Sequence, residues 1–264
     1  RKIAMTPVFG VSFVGDDGVA RSEHRAKSAA GYVAAYDLLR KHFIQAARDA
    51  GVSLFSPKAL DIIRVDEKGF EIRLDQQVVR PKAILLAGNL SPEQGKLLGL
   101  PDPFARETMR RYSFVRLEEK WVVSAAKPLM AMSLDLNGKL TWAWMLIGDG
   151  RVQLAVEQML NDAATPMETL SFWARVLEKH GLLKQGAPIR ELTVETLELP
   201  AAGALANEIV ANRTLLFGPA GGFYSAGLED IYPNCWSAAF AVDAVRKALK
   251  EPHLQDALQP YRQS

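Results

Sequence analysis

The 264 residues, 48% hydrophobic and 23% charged, have the composition of a globular protein with a hydrophobic core rather than of a disordered or fibrous chain. The 32 Lys and Arg nearly balance the 30 Asp and Glu, and the two signs are interleaved, which excludes nucleic acid as the main partner. Apolar runs fall far short of the ~20 residues of a membrane-spanning helix, which excludes an integral membrane protein.

The cysteine and the histidines offer little chemistry. The single Cys235 cannot form an internal disulfide or a thiolate metal site, which favours a reducing, cytoplasmic compartment. It lies near the start of a helix that we expect to be buried, so we predict that it packs as a small hydrophobe. The four histidines show no HxxxH or HExxH spacing, and we expect no metal site.

Apolar residues at three- and four-residue spacing predict a first helix from Ala34 to Ala50, with Leu38, Leu39 and Phe43 on its apolar face and Gly51 after its end. Three short extended runs follow and predict a β-meander, at residues 52–55, 60–65 and 70–74.

The continuous apolar run from Lys82 to Ala87 ends in Gly88 and predicts a strand that is buried on both faces of a parallel or mixed sheet. Prolines bracket the next segment, so we expect a loop from Asn89 to about Pro103.

The middle of the chain predicts an antiparallel sheet, since turn residues separate strand-like runs at 112–117, 121–125, 129–134, 140–147 and 152–156. Trp142 and Trp144 alternate on one of these strands and therefore share a face. Two such aromatics either form the wall of a ligand pocket or cover a helix.

The last third predicts a helix from Thr165 to His180, an extended run at 192–199 and a buried strand from Arg213 to Phe217. A long helix from about Ile231 to Lys250 closes the chain, with an apolar face formed by Ala238, Ala239, Val242, Val245 and Leu249. Glu229 and Asp230 precede it and either cap the helix or act as acid–base groups.

Glycines lie between that buried strand and the long helix, at Gly218, Gly221 and Gly222. Glycine allows a backbone to approach a ligand closely, and the start of a helix offers N–H groups to an anion. The same pattern also occurs as an ordinary turn of an α/β protein.

Four segments occur in an order that matches a known class: Leu86–Ser91 (LAGNLS), Thr141–Trp144 with the turn Gly148–Gly150, Gly218–Phe223 (GPAGGF), and Gly227–Ile231 before the long helix. From about Tyr32 onward the chain resembles the geranylgeranyl reductase and aromatic hydroxylase class of FAD-dependent oxidoreductases. In that class the corresponding signatures are Ala-Asp-Gly-x-x-Ser, an aromatic-rich strand with a Gly-Asp-Gly turn, Gly-Asp-Ala-Ala-Gly-Phe, and a further glycine motif.

This resemblance implies an α/β (α+β) fold, in which an FAD/NAD(P)-binding-like mixed sheet carries an inserted antiparallel β substrate domain. The nucleotide-binding-like domain would comprise residues 28–105 and 205–264, and the substrate domain residues 1–27 and 106–204. The N-terminal βαβ unit of the class, with its GxGxxG fingerprint, is missing from the 264 residues. Either a segment bearing it lies outside this sequence, or the chain keeps the scaffold without the redox chemistry.

The resemblance also implies site residues. The cofactor, FAD, would contact Gly88, Gly218, Pro219, Ala220, Gly221, Gly222, Gly227 and Ile231. A small-molecule substrate would contact Trp142, Trp144, Phe223 and Tyr224. NAD(P)H is the candidate reductant, and no side chain is assigned a catalytic role because the cofactor supplies the chemistry.

Three polar residues of the class are replaced: Pro219 and Ala87 stand where it has aspartates, and Tyr36 aligns with an arginine. The sequence therefore predicts an FAD-dependent oxidoreductase, of reductase or monooxygenase type, acting on an apolar, aromatic or isoprenoid-like molecule. The alternative is a non-catalytic protein of this fold that binds an apolar ligand or a partner chain without FAD. Whether the chain forms a homo-oligomer stays open.

Overall fold

The computed structural model describes residues 3–56, 60–66, 69–75, 77–88, 92–100, 104–126, 129–136, 138, 141–223 and 231–263. Its strands are β1 Met5–Val8, β2 Gly10–Val14, β3 Arg21–Arg25, β4 Gly31–Ala34, β5 Leu60–Asp66, β6 Gly69–Leu74, β7 Gln77–Val79, β8 Ile84–Leu86, β9 Met109–Glu118, β10 Leu129–Ser133, β11 Ala143–Gly148, β12 Arg151–Met159, β13 Glu195–Pro200, β14 Val210–Ala211 and β15 Thr214–Leu216. Its α-helices are α1 Tyr36–Asp49, α2 Pro92–Leu98, α3 Pro166–Lys179, α4 Ile231–Ala248 and α5 Leu254–Ala257. Within these residues no helix is both long and apolar enough to cross a membrane.

The chain divides into two compact units. The first contains Arg1–Ser53 and Arg110–Glu198, and the second contains Leu54–Met109 and Leu199–Ser264. Residues 28–53, which were expected with the nucleotide-binding part, belong to the first unit. The functional assignment of the two units stays a prediction.

A seven-stranded sheet forms the centre of the first unit, in the order β13-β9-β12-β11-β10-β2-β3. Strands β9, β12, β11 and β10 pair antiparallel along the sheet, and β2 pairs antiparallel with β3. However, β10 and β2 are parallel. The sheet is therefore mixed where a purely antiparallel one was expected, because an unpredicted N-terminal strand extends it.

Helix α3 packs on one face of this sheet. Its buried residues include Leu170, Trp173 and Leu177, which join Met145 of β11 and Leu154 of β12 in one hydrophobic cluster. A capping box fixes the start of the helix: the Thr165 hydroxyl accepts from Glu168 N, and the Glu168 carboxylate accepts from Thr165 N at 2.7 Å. The hydrogen bonds that the Glu168 carboxylate accepts from the Thr165 backbone N–H and hydroxyl hold the pKa of Glu168 below its usual range.

We expect Thr165→Ala to lower the free energy of unfolding by about 1 kcal/mol, because the variant loses the side-chain cap while it keeps the buried face of α3. Thr165→Ser is the matched control and retains a capping hydroxyl. Urea unfolding followed by circular dichroism measures both variants. Equal stability of the alanine variant and the parent would contradict the importance of the cap.

Helix α1 matches its predicted position to within two residues, but its apolar face is not buried. None of its residues is buried, and Leu38 and Phe43 are exposed. Periodicity predicts that a helix is amphipathic, but it does not reveal which surface covers the apolar stripe.

In the second unit, a three-stranded sheet has the order β14-β15-β8. Strands β8 and β15 are parallel, with Leu85 opposite Leu215 and Leu86 opposite Leu216. This confirms the prediction that these two distant apolar runs belong to one sheet, apart from the sheet at residues 109–159. Strand β15 is buried on both faces, as predicted. Strand β8 is not, because it lies at the sheet edge with Leu85 exposed.

The two faces of β15 contact different clusters. Leu216 packs with α2 and the antiparallel meander β5-β6-β7 through Leu98 and Phe70. Leu215 packs with α4 and the C-terminal segment through Ala241 and Leu258. The unit is thus a small sheet between two layers, as in an open α/β architecture.

Several local predictions were wrong. Residues 52–55 form no strand, and 3-10 helices at Glu119–Trp121 and Ser124–Ala126 replace the strand expected at 121–125. The expected loop after Asn89 contains the short helix α2. Short apolar runs are ambiguous in sequence, because their periodicity does not distinguish strands from tight helical turns.

Helix α4 was predicted to be buried along Val242 and Leu249, but both are exposed. Its buried residues are Ser237, Ala241 and Ala248. Cys235 is also exposed, so the prediction that it packs in the core was wrong. Small side chains bring α4 close to the sheet, while its larger ones project away from it.

Candidate functional site

The carboxyl ends of β8 and β15 form the centre of the candidate site. Because the strands are parallel, both end at the same sheet edge. Phe217 N donates to Leu86 O at 3.0 Å, and Ala220 N donates to Ala87 O at 3.3 Å. The glycine-rich loop after β15 is therefore hydrogen-bonded to the segment that leads to Gly88.

The loop has a conformation that requires glycine at two positions. Gly218 has φ +56° and Gly222 has φ +84°, and both lie in the left-handed region. A Cβ at Gly222 would lie 2.0 Å from the carbonyl oxygen of Ala204. Residues 218–221 form a single 3-10 turn between these two glycines.

One serine of α4 connects the loop to this helix. Gly218 N donates to Ser237 Oγ at 3.0 Å, and Ser237 Oγ donates to Asn234 O at 3.1 Å. The Asn234 Oδ1 atom is buried, and it finds no hydrogen-bond donor among the described residues. It lies 2.8 Å from the position that a Gly218 Cβ would take. A carbonyl oxygen that accepts no hydrogen bond from the described residues therefore lies beside the loop.

Tyr261, in the C-terminal segment, is hydrogen-bonded to the end of β15. Its hydroxyl donates to Leu216 O at 3.0 Å. Burial raises the pKa of Tyr261 to about 12, so the phenol stays protonated and remains a donor at neutral pH.

Two features of this edge fit the polar part of a flavin nucleotide. Gly88 is exposed, and a Cβ on it would meet none of the described residues within 4 Å, so the strand end borders open space. The unpartnered Asn234 carbonyl could accept from a ligand hydroxyl or imide N–H.

One feature does not match the expected contacts. The N–H groups of Gly218, Ala220, Gly222 and Phe223 all donate to acceptors within the protein. They are therefore already used as donors in this structure. Pro219 supplies neither a carboxylate nor an N–H group at the position where the resembled class has aspartate.

The structure brings together most of the predicted cofactor-binding residues. Gly218, Pro219, Ala220, Gly221 and Gly222 form the turn next to Gly88. Ile231 is the first residue of α4 and is exposed. Gly227 and Tyr224, as well as Glu229 and Asp230, lie outside the described residues. Phe223 ends the loop and is half-buried.

The predicted substrate residues Trp142 and Trp144 belong to the first unit. Ala143 and Met145 face α3, so alternation along β11 puts Trp144 on the opposite sheet face, whereas Trp142 directly precedes this strand and does not, as predicted, lie within it. Trp144 is 1% exposed, and Trp142 is half-buried. That these residues and Phe223 contact one substrate stays a prediction.

A polar cluster that sequence reasoning missed lies on the same face. Glu157 of β12 pairs across the sheet with Tyr112 of β9, and its Oε1 lies 3.4 Å from Arg110 Nε. Burial raises the pKa of the Glu157 carboxyl, while the Arg110 charge and a hydrogen bond with Tyr112 oppose that shift. No sequence signal indicated this cluster, since Glu157 alternates with the apolar residues of β12 and glutamates are mostly exposed.

A scan against models of known protein families finds no match for this sequence, and a search of curated proteins finds none either. Solved structures do match. A geranylgeranyl bacteriochlorophyll reductase-like protein from Thermoplasma acidophilum is similar with a TM-score of 0.79 and 20% identity, over 98% of this chain and 66% of that one. The two chains therefore share a fold.

Two further structures support this result. The flavin-dependent brominase Bmp2 is similar with a TM-score of 0.68 and 14% identity, over 98% of this chain and 67% of the brominase. The peptidyl tryptophan dihydroxylase QhpG is similar with a TM-score of 0.65 and 16% identity, over 98% of this chain and 58% of the dihydroxylase. The chain thus spans less than two thirds of the length of the reductase-like protein and of the dihydroxylase. The similarity confirms the predicted fold class.

Proposed function

We propose that this chain belongs to an FAD-dependent oxidoreductase, of reductase or monooxygenase type, that acts on an apolar, aromatic or isoprenoid-like small molecule. The observation that carries the proposal is the parallel pair β8–β15, whose carboxyl ends meet beside the Gly218–Gly222 loop. In open α/β sheets, ligands bind outside the carboxyl ends of the strands.

In this proposal the second unit holds the flavin at Gly88, Asn234 and the loop. Further backbone donors would come from the first turn of α4, where helix geometry leaves N–H groups without intrahelical acceptors. The βαβ segment with a GxGxxG fingerprint, which binds a dinucleotide pyrophosphate, is not part of these 264 residues. NAD(P)H is the proposed reductant. When bound, the flavin supplies the redox chemistry, and the protein positions the substrate and excludes water.

Flavin binding tests this proposal. We expect added FAD to bind the purified protein, as measured by quenching of flavin fluorescence and a shift of its absorption band. Pro219→Asp should tighten binding about tenfold, because a carboxylate can accept a charge-assisted hydrogen bond from a flavin hydroxyl.

Pro219→Ala is the matched control for that variant. It removes the proline ring and restores an N–H group without adding a carboxylate, so it should change the FAD dissociation constant less than Pro219→Asp does. If neither the parent nor Pro219→Asp binds FAD, the proposed flavin site is wrong.

A second candidate function rests on a specific observation. The loop N–H groups are satisfied within the protein, and Pro219 replaces the flavin-binding carboxylate. A non-catalytic protein of this fold, which binds an apolar ligand or a partner chain without FAD, would have these same features. An absence of FAD binding combined with tight binding of an apolar ligand would favour it.

A further inference from the structure

The face of the seven-stranded sheet opposite α3 carries an aromatic cluster around a small residue. Ala155 of β12 lies between Trp144 of β11 and Phe114 of β9 in one row of the sheet. Because alanine leaves room above the strand, the rings of Tyr112 and Trp144 approach across it, with centroids 6.3 Å apart. Tyr112 and Trp144 are each 1% exposed.

One polar atom of this cluster is unsatisfied. The indole Nε1 of Trp144 is buried and makes no hydrogen bond to any of the described residues. The structure contains an internal comparison, since the equally buried Trp173 donates its Nε1–H to Trp144 O at 3.1 Å. An indole nitrogen can only donate, so an unpaired buried one costs free energy unless another molecule supplies an acceptor.

The charges on this face indicate what kind of acceptor fits. The two arginines of β9 that point to this side, Arg110 and Arg116, are each paired with a carboxylate, Glu157 and Glu195 respectively. Both cations are therefore engaged already. The buried Glu157 carboxylate also disfavours a second negative charge in its vicinity.

We propose that Trp144 Nε1–H is the polar anchor of the substrate site. The substrate is then an apolar molecule that carries a neutral hydrogen-bond-accepting oxygen, such as a carbonyl or hydroxyl oxygen, rather than a pure hydrocarbon or an anion. That this face binds a substrate rests on the function proposed above. Tyr112 and Phe114 supply aromatic walls, and the Glu157–Arg110 pair positions Tyr112.

Three matched probes test the inference by isothermal titration calorimetry without flavin: 2-acetylnaphthalene, 2-ethylnaphthalene and 2-naphthoate. They share one aromatic body and differ in a carbonyl, an apolar group or a carboxylate. We expect the acetyl probe to bind about tenfold more tightly than the ethyl probe, and the naphthoate to bind most weakly.

Trp144→Phe keeps an aromatic ring and deletes the N–H group, so it should bring the affinities for the acetyl and ethyl probes to within about twofold. Trp236→Phe is the matched control, since Trp236 is exposed on α4 and belongs to neither proposed site, and it should keep the tenfold difference. Equal affinities in the parent, a preference that survives in Trp144→Phe, or no binding of any probe would overturn the inference.

A second readout does not depend on a variant that folds well. The chain has 5 tryptophans, so its ¹H–¹⁵N spectrum contains five indole signals. The acetyl probe should move the Trp144 indole proton downfield, and the ethyl probe should not. Because these measurements omit flavin, a failure of the anchor and a failure of FAD binding are observed separately. If FAD does not bind but the acetyl preference holds, the oxidoreductase proposal fails and the ligand anchor remains.

Discussion

Trp173→Ala is expected to lower the free energy of unfolding by about 3–5 kcal/mol, the largest effect that we expect from a single substitution in this chain. Trp173 is fully buried in the cluster between α3 and the seven-stranded sheet. Its truncation leaves a cavity and removes the hydrogen bond from Nε1 to Trp144 O at 3.1 Å. The carbonyl of Trp144 then loses its side-chain donor as well.

Guanidinium unfolding followed by far-UV circular dichroism measures this loss. Trp236→Ala is the matched control, since Trp236 is 51% exposed on α4 and its removal should cost about 1 kcal/mol or less. Trp173→Phe should lie between the two. A Trp173→Ala protein as stable as the Trp236→Ala protein would contradict the packing of α3 on the sheet.

Gly222→Ala, a substitution in the candidate site, is expected to have the second large effect on the free energy of unfolding. Gly222 has φ +84°, and a Cβ there would lie 2.0 Å from the backbone oxygen of Ala204. Because neither the left-handed backbone nor the carbonyl can move cheaply, we expect a loss of at least about 2 kcal/mol of unfolding free energy. FAD affinity should fall with it, since the loop cannot keep its turn.

Gly88→Ala separates loss of folding from loss of binding. The added methyl group meets none of the described residues, so stability should change by no more than about 0.5 kcal/mol. The methyl group would occupy the open space beside the strand end, and FAD affinity should fall about tenfold. Thermal melts and FAD titrations of both variants test this pair. An unchanged FAD affinity of the Gly88→Ala protein would show that the flavin does not bind beside β8.

The elements that were predicted well have strong local signals. The predicted ends of α1, α3 and α4 agree with the structure to within two residues, because each helix combines 3.6-residue periodicity with a proline, cap or glycine at its boundary. The pairing of β8 with β15 could be predicted because uninterrupted apolar runs are typical of parallel strands.

Among the N-terminal strands that were missed, β3 carries no such signal. Strand β3 reads Arg-Ser-Glu-His-Arg and is exposed along its whole length. It is held at the sheet edge by backbone pairing with β2, and two ion pairs of Glu23 with Arg21 and Arg25 lie along it. Backbone pairing of this kind depends on distant partners, which a local pattern does not reveal.

Burial was the least predictable property. The apolar stripe of α4 runs along Tyr232, Trp236 and Phe240, whose rings contact one another yet remain exposed. An amphipathic pattern shows that a face is apolar, whereas its burial depends on the surfaces that the rest of the fold brings to it. The same reason explains why Cys235 was wrongly expected in the core.

Within the candidate site, sequence reasoning found the glycines and missed their polar partners. The turn at Gly218–Gly222 is encoded locally, since only glycine adopts its backbone angles without strain. Ser237 and Asn234 lie on α4, the next helix along the chain. Their positions beside the loop depend on how α4 packs on β15. Trp144 was predicted from alternation, but only three-dimensional packing shows that its Nε1 donates to none of the described residues.

Hydrogen–deuterium exchange with and without FAD tests most directly whether the carboxyl edge of β8 and β15 binds a flavin. We predict slower exchange on adding FAD in peptides that cover residues 84–88, residues 214–223 and the start of α4. Peptides from β12 serve as the internal reference and should exchange at an unchanged rate. An unchanged rate throughout the second unit, or protection confined to β12, would contradict the proposed flavin site.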